Sequence, residues 1–215
     1  MAQLIEDIDA SVVRDNLARV REEIASTGRG PGEVELLAAV KYVALEHIGA
    51  LVEAGIDVMG ENRAQDLEAK AAAHPEVTWD FIGHLQSRKV KQVLPHVRYL
   101  HSVSTDSVLG QLERHGTPET EVLVEVNIAG EEGKSGIAPA ELGGFLERCP
   151  VTVVGLMTMP PLAQRPEDSR RWFAALAQLA ADHGLRELSM GTTQDFAVAA
   201  QEGATIVRVG NRLYA

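Results

Sequence analysis

The chain has 215 residues, 45% of them hydrophobic, which is enough for one sizeable buried core and does not call for two domains. A net charge of −11, with no block of like sign, excludes a general nucleic-acid or membrane-surface binder and leaves room only for a local cationic pocket. The single cysteine, Cys149, excludes an internal disulfide, the opening MAQLIEDIDA lacks the basic and apolar regions of a signal peptide, and no apolar run is long enough to span a bilayer, so a cytoplasmic protein is expected.

In chain order, Ile5 to Ala25 reads as a helix with an apolar stripe of Ile8, Val12, Leu17, Val20 and Ile24, ended by TGRGPGE. ELLAAVKY, Glu35 to Tyr42, follows as a strand covered on both faces, with Lys41 at its carboxyl end. A helix from Leu45 to Ala54, the strand IDVMG and the helix ENRAQDLEAKAAA begin a βαβα rhythm. It continues through strand VTWDFIG, a helix opened by Ser87, strand VRYLHSV and a helix from Thr105 to His115 capped by Ser104 or Thr105. Next come strand TEVLVEVNI, helix PAELGGFLERC with Pro139 near its first turn, strand VTVVGLMTM and a long helix from Pro166 to His183. Strand RELSMG, helix QDFAVAAQEG, strand ATIVRVG and a brief final turn close the chain.

The strands end near Lys41, Gly60, Gly83, His101, Asn127, Met157, Gly191 and Gly210. Eight strands alternating with helices predict an α/β fold, a single (β/α)8 TIM barrel with an extra N-terminal helix, spanning residues 1–215. An open doubly wound sheet is the weaker alternative, because no G-x-G-x-x-G follows the first strand and no P-loop sequence occurs.

Barrels bind ligands at the carboxyl ends of their strands, so a lysine amine there is a candidate Schiff-base nucleophile. Taken alone, the stretch favours the bland alternative, a lysine that snorkels from the strand end into water, and the rest of the chain shifts that balance. Glu61 reads as a favourable charge on a helix's first turn, and Asn62 as a cap or as an amide pointing across the mouth. His84 follows the third strand, Asn127 and Met157 end the fifth and sixth, and the histidines show no metal-ligand spacing, so no metal is expected. Ser189, Gly191, Thr192 and Thr193 after strand seven, with Arg208, Gly210 and Asn211 at strand eight, offer glycine-freed N–H groups and hydroxyls where barrels commonly hold phosphate. Ordinary turn chemistry is the bland alternative. Arg208, inside an apolar strand, requires an acceptor.

A strand-one lysine and a phosphate cradle at strands seven and eight describe a pocket for a phosphorylated aldehyde. LLAAVKYV, GENRAQDLEAK, WDFIGHLQSRKVK, LHSV, VEVNIAGEEGKSGI, GLMTMPP and LSMGTTQDFAVAAQEGATIVRVG resemble, in register over nearly the whole chain, the pyridoxal phosphate homeostasis protein family. That family shares its barrel, the fold type III of pyridoxal 5′-phosphate (PLP) proteins, with the amino-terminal domain of alanine racemases. The resemblance implies PLP held covalently as a Schiff base on Lys41, with Arg208 facing the pyridine nitrogen. Thr193, Gly210 and Asn211 would hold the phosphate, helped by Ser189, Gly191 and Thr192, while Asn62, His84 and Met157 would line the pocket. Thr192 and Thr193 stand where the family usually has Met-Ser, and Asn211 and Arg212 where it has Thr-Ala, so Arg212 is a cation without a family counterpart.

An arginine at the ring nitrogen disfavours the proton that makes PLP a strong electron sink. Alanine racemases add a catalytic tyrosine from a second domain and a partner subunit, whereas this chain has Tyr42, Tyr99 and Tyr214, with Tyr42 expected on the face opposite Lys41. The implied role is to bind, buffer and deliver PLP to apo-enzymes as a monomer without a nucleic-acid or membrane partner. A low-rate PLP-dependent amino acid racemase is the alternative from another class, and a phosphosugar aldolase barrel the third.

Overall fold

A computed structural model of the chain describes residue 5 and residues 7–30 and 32–214. Residues 1–4 and 6 of the expected leading segment, Pro31 in the loop TGRGPGE, and Ala215 lie outside the described residues. Eight parallel strands, β1 (Glu35–Ala39), β2 (Val58–Glu61), β3 (Thr78–Phe81), β4 (Tyr99–Val103), β5 (Glu121–Glu125), β6 (Thr152–Met157), β7 (Glu187–Thr192) and β8 (Ile206–Val209), pair in chain order and close into a barrel. The closing seam runs β1 against β8, with Glu35 opposite Ile206 and Ala38 opposite Val209. The open-sheet alternative is thereby excluded.

Helices α1 (Ala10–Ala25), α2 (Ile48–Glu53), α3 (Ala64–Ala73), α4 (Val90–Val93), α5 (Asp106–His115), α6 (Leu142–Arg148), α7 (Arg170–Asp182), α8 (Phe196–Gln201) and α9 (Asn211–Tyr214) alternate with the strands or flank them. None of them is long and apolar enough to cross a membrane. Several expected helices prove shorter because a 3₁₀ turn leads in, as at Ser87–Lys89 before α4 and Pro166–Ser169 before α7. Thr105 caps α5, its hydroxyl accepting the Val108 N–H at 3.3 Å.

The leading helix starts later than its apolar pattern suggests. Asp9 caps α1 by accepting the Ser11 N–H at 2.7 Å, while the Ile5 N–H donates to the Tyr42 carbonyl at 2.8 Å, outside any helix. Val12 is 43% exposed, and Val13 takes its place beside Leu17, Val20 and Ile24, because positions 13, 17, 20 and 24 follow the 3.6-residue period and share a face.

Strand alternation sorts the side chains into two cores. One row, including Ala38, Met59, Trp79, Phe81, Leu100, Val122, Val124, Leu156, Met190 and Val207, packs outward in the main cluster with the helices. Inside the barrel Leu37, Val58 and Ile206 form a small apolar cluster, with Ile82 and Tyr99 against it. Glycines make room where strands crowd: a Cβ on Gly155 in β6 would stand 1.9 Å from the Glu187 carbonyl oxygen of β7.

A Gly155→Ala variant should therefore lose about 1–3 kcal/mol in urea denaturation, the usual cost of forcing extra carbon into a packed site. Gly110→Ala in α5, where an added methyl meets nothing within 4 Å, should instead gain up to ~1 kcal/mol. Equal effects at the two positions would contradict the packing described.

Candidate functional site

Lys41 lies in the turn just past β1, half-buried, with its Nζ 4.8 Å from the centroid of the Tyr42 ring. The expectation that Tyr42 faces away from Lys41 is wrong, because the two-residue alternation of a strand does not extend into a turn. The turn is held by the Val43 N–H donating to the Val40 carbonyl at 3.0 Å and by the Tyr214 hydroxyl donating to the Ala39 carbonyl at 3.2 Å. Burial, and then the nearby Glu61 carboxylate, raise the Tyr214 hydroxyl above its ordinary value, so it remains a donor.

Glu61 and Asn62 depart from their helix-start reading. Glu61 is the last residue of β2, fully buried, and accepts the Asn62 N–H at 2.7 Å and the Lys70 ammonium at 2.5 Å. Arg63 occupies the N-cap position of α3, and the buried Oδ1 of Asn62 has no partner among the described residues. Gly83 lets β3 come close, since a Cβ there would lie 2.4 Å from the Asn62 carbonyl oxygen. His84 follows exposed at the mouth.

The barrel interior carries a chain of polar groups. Arg208 NH1 donates to the Ser189 carbonyl at 2.7 Å and to its hydroxyl at 2.5 Å, while NH2 donates to the Thr158 carbonyl at 2.9 Å and lies 2.9 Å from the Met159 sulfur. The acceptor required for a buried guanidinium is thus present. Ser189 Oγ is 2.8 Å from His101 Nδ1, and His101 Nε2 is 3.1 Å from Asp80 Oδ2. Since β4 and β7 are not neighbours in the sheet, the His101–Ser189 bond crosses the inside of the barrel. At the far end Arg98 donates to Asp80 at 2.7 Å and to Glu35 at 2.6 Å.

One proton arrangement satisfies the whole chain. Asp80 can only accept, so His101 donates from Nε2, and Nδ1 of the neutral imidazole accepts the hydrogen of the Ser189 hydroxyl, whose oxygen takes the Arg208 N–H. Burial pushes the His101 imidazole below its ordinary value, against the opposing pull of Asp80, and keeps it neutral at pH 7. For Asp80, burial acts upward, but the bonds from His101 and Arg98 outweigh it and hold the carboxyl below its usual value. Burial lowers Arg208 to about 10, with Asp195 and Glu125 opposing, so the guanidinium stays charged.

At β7 and β8 lie the residues expected to form a phosphate cradle. Gly191 has φ +87°, and a Cβ on it would strike the Ala199 methyl at 2.5 Å, so only glycine fits. The register shift between Ser189 and Thr192 falls at the same place, where bulges re-aim a barrel rim. The Gly210 N–H donates to the Thr193 hydroxyl at 3.1 Å, which brings together two groups expected to hold phosphate. Thr192 turns away, its N–H and hydroxyl donating to Asp195 Oδ1 at 2.8 and 3.2 Å. Ser189 is fully buried beneath Arg208, Met157 is buried at the end of β6, and Asn211 is exposed at the start of α9. Asn127 closes its own loop, donating to the Glu131 carbonyl at 2.9 Å and accepting its N–H at 3.1 Å. Arg212, though exposed, is engaged away from the expected phosphate residues, for it pairs with Glu23 of α1 and lies 5.2 Å from the Phe196 ring centroid.

A cavity of about 320 Å³ opens among the ends of β5, β6 and β7, lined by Glu125, Asn127, Lys134, Met159, Thr192 and Asp195. Lys41, Asn62 and His84 lie outside its lining, on the other side of the mouth. The sequence reading missed Asp80, His101, Glu61 and Lys70. The available signal was a charged residue inside an apolar strand, as in TWDF, which must find a partner.

An eight-stranded parallel barrel with this strand order is the architecture of the alanine racemase N-terminal domain, and that family matches residues 8–215. The pyridoxal phosphate homeostasis protein of Aquifex aeolicus is 38% identical over 92% of this chain and 93% of its own. An unknown protein from Bifidobacterium adolescentis superposes with TM-score 0.86 at 33% identity, over 99% of this chain and 98% of that one. PipY of Synechococcus elongatus, solved with PLP bound, superposes with TM-score 0.79 at 30% identity, over 94% of this chain and 100% of its own. The chain belongs to the pyridoxal phosphate homeostasis proteins, within the alanine racemase N-terminal domain family.

Because the folded His101 binds its proton less readily than the unfolded chain does, stability should fall as pH drops below about 6.5, where only the unfolded histidine takes up a proton. A His101→Gln variant, which offers a donor and an acceptor without titrating, should show a shallower loss. Urea midpoints measured between about pH 5 and pH 8 test this, and identical slopes for the two proteins would remove His101 from the account.

Proposed function

We propose that this chain, as one barrel domain over residues 1–215, binds PLP as a Schiff base on Lys41 and serves to hold and deliver it. The observation that carries the reading is the β1–β8 seam, where Leu37 lies opposite Arg208 and Ala38 opposite Val209, so that the turns carrying Lys41 and Gly210 leave adjacent strands although the sequence keeps them far apart. The donor set fits the cofactor: an amine for the aldehyde, a buried guanidinium, a paired N–H and hydroxyl for an anion, and an orphaned Asn62 oxygen at the same mouth.

Thr193 and Gly210, with Asn211 and Gly191 around them, would bind the phosphate, whereas Thr192 is committed to Asp195, and Asn62, His84 and Met157 would border the ring. Arg208 would give an N–H to the pyridine nitrogen, its NH1 and NH2 being already committed to Ser189, Thr158 and Met159. Ser189 would act through Arg208. When bound, PLP supplies a carbonyl that captures amines and, with its ring nitrogen protonated, a sink for electrons. A charged arginine fixed as a donor disfavours that proton, which supports handling over turnover.

The tyrosines support the same side. Tyr214 spends its hydroxyl on Ala39, Tyr99 lies against Arg98 with 4.3 Å between guanidinium and ring centroid, and Tyr42 adjoins Lys41 instead of standing across the mouth from it. The reading includes a cytoplasmic protein that passes PLP to apo-enzymes.

Lys41→Ala should remove the visible absorbance and the borohydride-fixable cofactor while leaving the thermal midpoint nearly unchanged, since a half-buried turn side chain adds little core. Reduced cofactor recovered on another lysine peptide would overturn the assignment.

Incubated with amino acids in deuterium oxide, the PLP-loaded protein should exchange Cα protons far below ~1 s⁻¹, the lower edge of ordinary enzyme turnover. It should meanwhile restore activity to an apo-enzyme that needs PLP. Exchange or racemisation at that rate would replace the handling role by the racemase.

A further inference from the structure

Lys70 and Glu61 form an ion pair that the chemistry above does not use. Lys70, on α3, is 4% exposed, Glu61 is 0% exposed, and the two are 2.5 Å apart. A well-packed apolar pair can hold a fold as firmly as a buried ion pair, so what the charges add is fixed geometry. Their remaining bonds go to backbone at the mouth. Lys70 Nζ donates to the Val40 carbonyl at 2.9 Å, one residue before Lys41. Glu61 Oε1 accepts the N–H groups of Asn62 and Arg63 at 2.7 and 3.3 Å. The Val40 carbonyl also takes the Val43 N–H that closes the Lys41 turn.

We propose that Lys70 is a positioning residue: locked by Glu61, its ammonium clamps the Val40 carbonyl and so fixes the peptide that carries Lys41. The same pair fixes the peptide that carries Asn62, so one buried contact sets the spacing of two residues just past the ends of neighbouring strands. The inference rests on Lys41 being the residue that bonds PLP. In that bond Lys41, as the free amine, adds to the aldehyde carbon, a C=N bond replaces C=O, and the oxygen leaves as water with both amine protons. Misplacement of an attacking group by about 1 Å costs roughly 100-fold in rate, so the clamp acts on how fast Lys41 reacts.

The test replaces both partners, since Lys70→Met alone strands a buried carboxylate. In K70M/E61Q the amide oxygen at position 61 still accepts from Asn62 and Arg63, but nothing of Lys70's reach holds Val40. Three quantities are measured on the full-length protein: the rate of borohydride-fixable bonding of PLP to the Lys41 peptide, the affinity for pyridoxine 5′-phosphate, which lacks the aldehyde, and hydrogen exchange at the Val43 amide. The expected result is bonding slowed at least about tenfold, unchanged pyridoxine 5′-phosphate affinity, and faster Val43 exchange. K70Q/E61Q, whose shorter amide at position 70 falls short of Val40, is the second variant and should show the same split if K70M/E61Q does not fold. Bonding at the wild-type rate, or a parallel fall in bonding and pyridoxine 5′-phosphate affinity, overturns the proposal. If wild-type protein never bonds PLP at Lys41, the PLP reading fails by itself, and the clamp is then decided by Val43 exchange, which overturns it if unchanged.

Discussion

Parallel pairing of β1 with β8, from Glu35 opposite Ile206 to Ala38 opposite Val209, turns a row of strands into a ring. An open sheet would leave Lys41 on one edge and Arg208 on the other. Closure sets the strand before the lysine turn next to the strand before Gly210, and the same closure forces the inward side chains of distant strands into one small space. The mouth and the interior are therefore two results of a single constraint.

That interior is unusual for a barrel filled mainly by branched apolar residues. Its apolar cluster is small, and Asp80, His101, Ser189 and Arg208 share the space with it, each buried and each bonded to the next. Leaving one such group unpaired costs about 1–3 kcal/mol, and more for a charge, so the chain stands only if it is complete. Completeness also gives it a direction. Asp80 can only accept and His101 is neutral, hence the hydrogens from Arg208, Ser189 and His101 all run from the mouth toward Asp80, where Arg98 and Glu35 bring the charge to half-exposed positions. A guanidinium held in this way is a fixed donor, which suits binding a cofactor more than activating it.

The rim is built from small accommodations. Gly191 in the left-handed region, the register shift beside it and Gly83 against Asn62 allow backbone to approach where a side chain would block it. Arg212, a cation in a place that invites a phosphate contact, is drawn instead to Glu23 and the Phe196 ring. It ties α9 to α1 and leaves the cradle to neutral donors.

The sequence by itself determined the strand count, the parallel order and the strand ends that carry Lys41, Met157, Gly191 and Gly210, because apolar runs and glycine turns are local signals with a fixed period. It also required an acceptor for Arg208, since a buried guanidinium needs one wherever the chain goes. Tertiary structure alone decided which acceptor that is. It paired His101 with Ser189 and Lys70 with Glu61, sent Arg212 to α1, and brought Tyr42 against Lys41. Bonds of this kind join residues far apart in the chain, or residues in turns where strand alternation lapses. No periodicity records them, and only the packed tertiary structure, with barrel closure in the case of His101 and Ser189, brings the partners together.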